Sequence, residues 1–124
     1  MTLNNPKIHL LDAALGYATR NSAGDQAITG VGFTPRLIIM AGFCTGGTHQ
    51  IFSIGWSDGT THHSVLFYGT SVDLQGNYTY CCRILRTGTD YIDGLIKSMD
   101  ADGFTITWAI TGTITGTFVW LALR

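Results

Sequence analysis

The chain of 124 residues carries few charges: Asp, Glu, Lys and Arg make up 12% of it, and its formal net charge at pH 7 is −1. This length suffices for one domain that buries a core without metal or disulfide support. The 7 basic residues are scattered, which argues against the concentrated basic surface that nucleic-acid binding requires. A small protein with so few charges has excess apolar surface, and assembly into a homo-oligomer or a lattice would bury that surface.

The first 26 residues have the weakest pattern, and we expect an N-terminal arm or loop region before a β-sandwich at 27–124, within one domain overall. Lys7–Leu11 could be a strand or an extended arm, and Asp12–Gln26 is expected to be mostly loop. No basic segment precedes a long apolar stretch, so we predict no secretory signal. The apolar run Leu37–Ala41 is far too short to cross a membrane, so no membrane partner is expected.

The remainder of the chain alternates short apolar or β-branched runs with turn signals, which is typical of antiparallel strands. No window carries an apolar stripe of helical period, so little helix is expected. Strands are predicted at 27–33, 36–42, 49–57, 62–68, 77–85, 92–99, 104–110 and 118–123, with loops at 43–48 and 69–76 and Asp-Gly turns at Asp58-Gly59 and Asp102-Gly103. About eight strands at this spacing predict an all-β fold, an antiparallel β-sandwich or jelly roll.

The closing run Phe118–Leu123 is apolar at every position, so it should lie centrally in a sheet or against a partner chain. Within it, Trp120 is expected to share a core or a subunit contact with Phe118. In the preceding strand, Trp108 falls on the apolar side of the alternation. Trp56, beside the Asp58-Gly59 turn, should be more exposed than either.

The three cysteines, Cys44, Cys81 and Cys82, are expected to be free thiols, as in a chain made in a reducing cytoplasm. Gly42–Gly46 has the form G-x-C-x-G and resembles the cysteine nucleophile elbow of dienelactone-hydrolase-like α/β-hydrolases. That mechanism needs a strand, a sharp turn and a helix, whereas a strand pattern follows here. The chain is also too short for a doubly wound sheet, and no histidine follows His63. We therefore expect no enzyme and no catalytic residue, and keep a cysteine hydrolase only as an alternative.

The remaining candidate sites have simpler explanations. His62 and His63 are neighbours on a strand and should point opposite ways, so at most one can join His49 in a zinc site, and we predict no metal and no cofactor. Asp100 and Asp102 lack the further oxygen ligands of a calcium loop. Five aromatic residues could form a sugar-stacking platform, but core and cross-strand packing is the favoured explanation. They are Trp56, Tyr68, Tyr78, Tyr80 and Tyr91.

Three stretches resemble segments of uncharacterised structural proteins of tailed bacteriophages. Ile28–Ile39 is similar to an opening of the form "TGVGFxPxxVI". Ser98–Trp108, with Trp120–Leu123 at the end, looks like a close of the form "SMDADGFTLxW … YLAL", with Trp120 in place of Tyr. Ile54–Thr60 resembles a middle element of the form "GFxDGT". These matches span most of the chain after residue 27, and they consist of turn and core residues.

The resemblance implies a non-enzymatic β-sandwich component of a virion, made in the host cytoplasm. The expected role is a capsid decoration (cement) protein that binds the major capsid protein or other virion proteins as a homo-oligomer, expected to be a trimer. A tail-fibre or tail-tip lectin-like module is the alternative, and only that alternative involves a glycan. The residues expected to contact partners are Trp56, His62, His63 and Trp120.

Overall fold

The structure is a computed structural model that describes residues 12–44, 50–69, 72–77 and 79–124. These residues form ten strands and no helix, and hence no helix long and apolar enough to cross a membrane. The strands are β1 (Ala13–Arg20), β2 (Gly24–Thr29), β3 (Leu37–Cys44), β4 (Gln50–Ser57), β5 (His62–Gly69), β6 (Val72–Asn77), β7 (Cys82–Leu85), β8 (Tyr91–Asp100), β9 (Gly103–Thr111) and β10 (Gly116–Leu123).

The strands form two antiparallel sheets that pack face to face. The larger sheet has six strands in the order β1-β10-β3-β4-β5-β6, and the smaller has four in the order β2-β9-β8-β7. The predicted all-β antiparallel sandwich is therefore confirmed, with ten strands in the described chain rather than about eight. The apolar closing strand β10 lies between β1 and β3, which confirms its predicted central position.

The sequence misassigned several segments. The strand predicted at 27–33 ends at Thr29, and β3 extends to Cys44 within the predicted loop 43–48. The expectation of loop over Asp12–Gln26 is wrong, because β1 and the start of β2 lie there. The expectation of loop over 69–76 is wrong over most of its length, because β6 begins at Val72. The strand predicted at 77–85 is shorter, because β7 begins only at Cys82. Lys7–Leu11 lies outside the described residues.

The core lies between the two sheets and is built around large rings. Phe104 and Phe118 are fully buried, and Trp108 is 2% exposed. The Trp108 and Phe118 ring centroids lie 5.0 Å apart, so β9 and β10 meet ring against ring across the sandwich. The indole Nε1 of Trp108 donates to Oε1 of Gln26 over 2.8 Å, which satisfies its one polar atom in the interior.

The segments Ile28–Ile39 and Ser98–Trp108 contact each other at one end of the sandwich. After β2, Gly30 and Gly32 take φ values of 80° and 87°, which turns both amides toward the β8–β9 turn. There the carboxylate of Asp102 accepts from the amide of Gly30 over 3.0 Å and from that of Gly32 over 2.7 Å. Gly103 follows, and a Cβ on it would lie 1.9 Å from the carbonyl oxygen of Ile28. Asp102 and the two glycines therefore tie the end of β2 to the β8–β9 turn within the smaller sheet, a contact that we call the Asp102 clasp.

Candidate interaction surface

Strand β4 carries its large side chains on the outside of the sandwich. Phe52, Ile54 and Trp56 are 44%, 41% and 38% exposed, although all three are large and apolar. Between them, Ser53 and Ser57 are fully buried. This is the reverse of the usual pattern, in which the apolar side of an alternating strand faces the core.

The close approach of the chain around β7 explains the reversal. The backbone amide of Arg83 donates to Oγ of Ser53 over 3.2 Å, so a side chain larger than serine would separate the two segments. A Cβ on Gly55 would lie 2.1 Å from the carbonyl oxygen of Cys81. The inward positions of β4 therefore need small residues, and its large apolar residues point away from the sandwich.

The same outward face continues across five neighbouring strands. The strand register aligns its side chains in three rows that run across the sheet. The rows are Leu15-Leu121-Ile39-Trp56-His63, Tyr17-Val119-Ala41-Ile54-Val65, and Thr19-Thr117-Phe43-Phe52-Phe67. We call this surface of β1, β10, β3, β4 and β5 the outer face.

The outer face is large for an exposed apolar surface. Its nine most exposed large side chains range from 38% for Trp56 to 80% for Leu15. With roughly 200 Å² for each fully exposed side chain of this size, they present about 900 Å². The largest apolar patch on a typical monomer is ~300–600 Å². No described outward side chain on its five strands is Asp, Glu, Lys or Arg.

The relief of the outer face is uneven. Leu15 and Tyr17 stand out on the edge strand β1, where they are 80% and 78% exposed, and we call this pair the β1 ridge. Toward the opposite margin lies an open depression of about 590 Å³, which we call the β4–β5 depression. Its lining includes Ile39, Trp56 and His63. A second depression of about 410 Å³ lies beside the β1 ridge, between β1 and β3.

Two of the four predicted contact residues lie together on the outer face. The rings of Trp56 and His63 are cross-strand neighbours with centroids 4.9 Å apart. His62 and Trp120 lie on the inner side of the same sheet, so they are not part of this surface. Trp120 is half-buried and packs edge-on against Phe104 at 5.5 Å. Burial lowers the pKa of His62, and its Nδ1 has no hydrogen-bond partner among the described residues.

Two of the three cysteines are interior thiols, since Cys81 and Cys82 are fully buried whereas Cys44 is half-buried. Cys44 is the last residue of β3 and pairs with Gly116, so it lies on a strand, and residues 45–49 after it are outside the description. All three cysteines are free, as predicted. Burial raises the pKa of Cys44, that of Cys81 to about 12, and that of Cys82 above its usual range. At Cys81 and Cys82 this burial disfavours the thiolate, which is the form of cysteine that acts as a nucleophile.

The other predicted ligand groups are engaged with the chain itself or lie outside the described residues. Within the described ranges, no three His, Cys, Asp or Glu side chains are grouped as a metal site would require. Asp100 accepts from Ser98 and Thr105. His9 and His49 are outside the description.

The suggested sugar-stacking platform is not assembled from the described aromatic residues. Tyr80 and Tyr91 flank the guanidinium of Arg83, with their ring centroids 5.8 and 4.9 Å from its central carbon. Trp56 lies elsewhere, on the outer face. The side chains of Tyr68 and Tyr78 are outside the description. Of the five aromatic residues considered, the three described ones therefore lie in two separate places, two beside Arg83 and one on the outer face.

Comparison with known proteins gave no match: no family model fits the chain, and no curated protein or solved structure is significantly similar to it.

Proposed function

We propose that this chain is a non-enzymatic structural protein of a tailed-phage particle, a capsid decoration protein that acts as a homo-oligomer. The outer face carries the assembly part of the proposal, because about 900 Å² of uncharged apolar surface is what a protein–protein contact uses. The virion part rests on the resemblance of the Ile28–Ile39 and Ser98–Trp108 motifs to phage structural proteins.

A decoration protein works mechanically. A rigid sandwich that docks across the junction of capsid subunits adds buried area where internal pressure would separate them. Because it binds only the assembled shell, it shifts the equilibrium toward that shell by mass action. The short turns and the Asp102 clasp suit this role, since they fix neighbouring strands within their sheets, while the buried rings of Trp108 and Phe118 join one sheet to the other.

A lectin-like tail module is the second candidate, favoured by the exposed Trp56 ring. Sugar recognition combines an aromatic platform with several polar groups that fix the hydroxyls. The β4–β5 depression is lined mainly by apolar side chains, with His63 as its polar ring. This lining suits an apolar protein surface better than a carbohydrate.

The test is to add the purified protein to capsids of the encoding phage that lack it. We expect the protein to sediment with the capsids, to appear on the head surface in electron micrographs, and to raise the temperature at which the heads rupture. Density for the chain at the tail tip, together with binding on a glycan array, would instead support the lectin-like module. Absence of the chain from purified virions would contradict both.

A further inference from the structure

We infer that the outer face is covered by another copy of this chain, with the β1 ridge of one copy seated in the β4–β5 depression of the next. This inference deepens the proposed assembly function, because it names the partner and the contact. It concerns the free protein and does not depend on which particle the chain decorates.

The size of the outer face fits such a contact. A specific interface of standard size buries ~800 Å² on each partner. The nine large outward side chains present about that much on their own. Sheets that pack face to face lie ~10 Å apart with interdigitating side chains, and this sandwich already buries one face of its six-stranded sheet in that way.

Charge also favours a copy of the same chain. Two identical surfaces repel each other when both carry charges of one sign. A charge on such a surface also needs an opposite charge at the matching position of the other copy. The described outward positions of β1, β10, β3, β4 and β5 carry no carboxylate, ammonium or guanidinium group. A copy therefore brings no repulsion and leaves no charge buried without a partner.

The β1 ridge and the β4–β5 depression determine how two copies fit together. The β1 ridge and the β4–β5 depression lie at opposite margins of one face, and the register puts them on the same rows: Leu15 with Trp56 and His63, Tyr17 with Ile54 and Val65. A symmetry axis parallel to the strands keeps each row at its own height. It brings the ridge of one copy over the depression of another, in a two-fold pair or in a three-fold ring.

The test is site-directed cross-linking of the free protein with a short bismaleimide. In the Tyr17→Cys/Val65→Cys variant the two thiols of one chain lie four strand steps apart, about 19 Å, which exceeds the reach of the reagent. Any bridge between them must therefore join two chains. We expect most of the protein to shift from the monomer band to a closed product of two or three chains, whose size reports the symmetry.

The controls separate this contact from random encounters. Each single variant should remain in the monomer band, because the inferred arrangement places Tyr17 opposite Val65 and not opposite itself. Thr19→Cys/Phe67→Cys, on the neighbouring row, is a second pair that should react in the same way, so the result does not depend on one variant folding.

Absence of the cross-linked product in a folded double variant would overturn the inference, and so would equal products from the single variants. A positive cross-link with no capsid binding would leave the inference standing and remove the decoration role. Capsid binding without a cross-linked product in a folded double variant would overturn the inference and leave the decoration role standing.

Discussion

At the scale of residues, each core tryptophan lies over a glycine. Gly94 is the cross-strand partner of Trp108, and Gly16 is the partner of Trp120. A Cβ on either glycine would lie 2.5 Å from the facing ring. The glycines are therefore required by the close approach of the indoles, which an apolar alternation in the sequence does not reveal.

Truncation of Trp108 should be far more damaging than truncation of Trp56. Trp108→Ala leaves a cavity between the sheets and should lower the free energy of unfolding by ~3–5 kcal/mol. Trp56→Ala removes a ring that is 38% exposed and should cost less than ~1.5 kcal/mol in the isolated chain. Urea denaturation of the two variants, under conditions where both are monomeric, gives the comparison. A larger loss for Trp56→Ala would mean that the core is misassigned.

Arg83 and Asp93 form the most enclosed ion pair of the described chain. Nε and Nη2 of Arg83 donate to the two carboxylate oxygens of Asp93 over 2.6 and 2.7 Å, and Asp93 is only 3% exposed. The hydrogen bonds to Asp93 raise the pKa of Arg83 above its usual value. A bidentate pair of this kind fixes the guanidinium between its flanking rings.

Removal of one partner from this pair should destabilise the fold. Asp93→Ala leaves the Arg83 guanidinium half-buried without its carboxylate, and we expect a loss of ~3 kcal/mol in the free energy of unfolding. Asp12→Ala, which breaks the exposed pair of Asp12 with Arg124, is the matched control and should cost under ~1 kcal/mol. Equal losses in chemical denaturation would show that the burial of Asp93 contributes nothing.

At the scale of elements, the Asp102 clasp ties the end of β2 to the β8–β9 turn. Asp102→Ala removes the acceptor of two backbone amides, and we expect a loss of about 1 kcal/mol for each of them. Asp102→Asn keeps one carbonyl oxygen and should recover part of that loss. Amide hydrogen exchange at Gly30 and Gly32 should quicken in the alanine variant, and unchanged exchange there would contradict the clasp.

The sequence predicted the strands that have strong alternation or a marked turn. The β4–β5 and β8–β9 hairpins follow from Asp58-Gly59 and Asp102-Gly103, since Asp-Gly pairs specify tight turns. The sequence missed β1 and β6, which are the two edges of the six-stranded sheet. An edge strand is paired on one side only, and β1 alternates between exposed and half-buried positions with small residues, so its apolar pattern is weak.

The outer face could not be predicted from the sequence, and the reason differs from the one that hid β1 and β6. A period of two shows that a strand has two unlike sides, but not which side meets the core. In β4 that choice depends on how closely the chain around Cys81 and Arg83 approaches Ser53 and Gly55, which is a tertiary effect. Two features of the sequence did indicate an exposed apolar surface: the low charge of the chain and the closing run Phe118–Leu123, which is apolar on both sides.

At the scale of the whole molecule, the low charge and the outer face have one explanation. The inner side of the six-stranded sheet is covered by the smaller sheet, and the outer side offers about as much apolar area as one half of a standard interface. An assembly that buries the outer face removes that area from water. The residues predicted from the sequence to contact partners lie on both sides of the six-stranded sheet. Trp56 and His63 point outward, and Trp120 points inward.

The central claim is that the outer face is an assembly surface, and sedimentation velocity of the purified chain tests it most directly. We expect the unaltered protein to sediment as one species of two or three chains, and Val119→Asp, which puts a carboxylate at the middle of the face, to sediment near the single-chain mass of 13.4 kDa. Ala27→Asp, on the exposed side of the smaller sheet, should behave like the unaltered protein. An unaltered chain that stays at the single-chain mass at every concentration, or a Val119→Asp variant that assembles normally, would contradict the account.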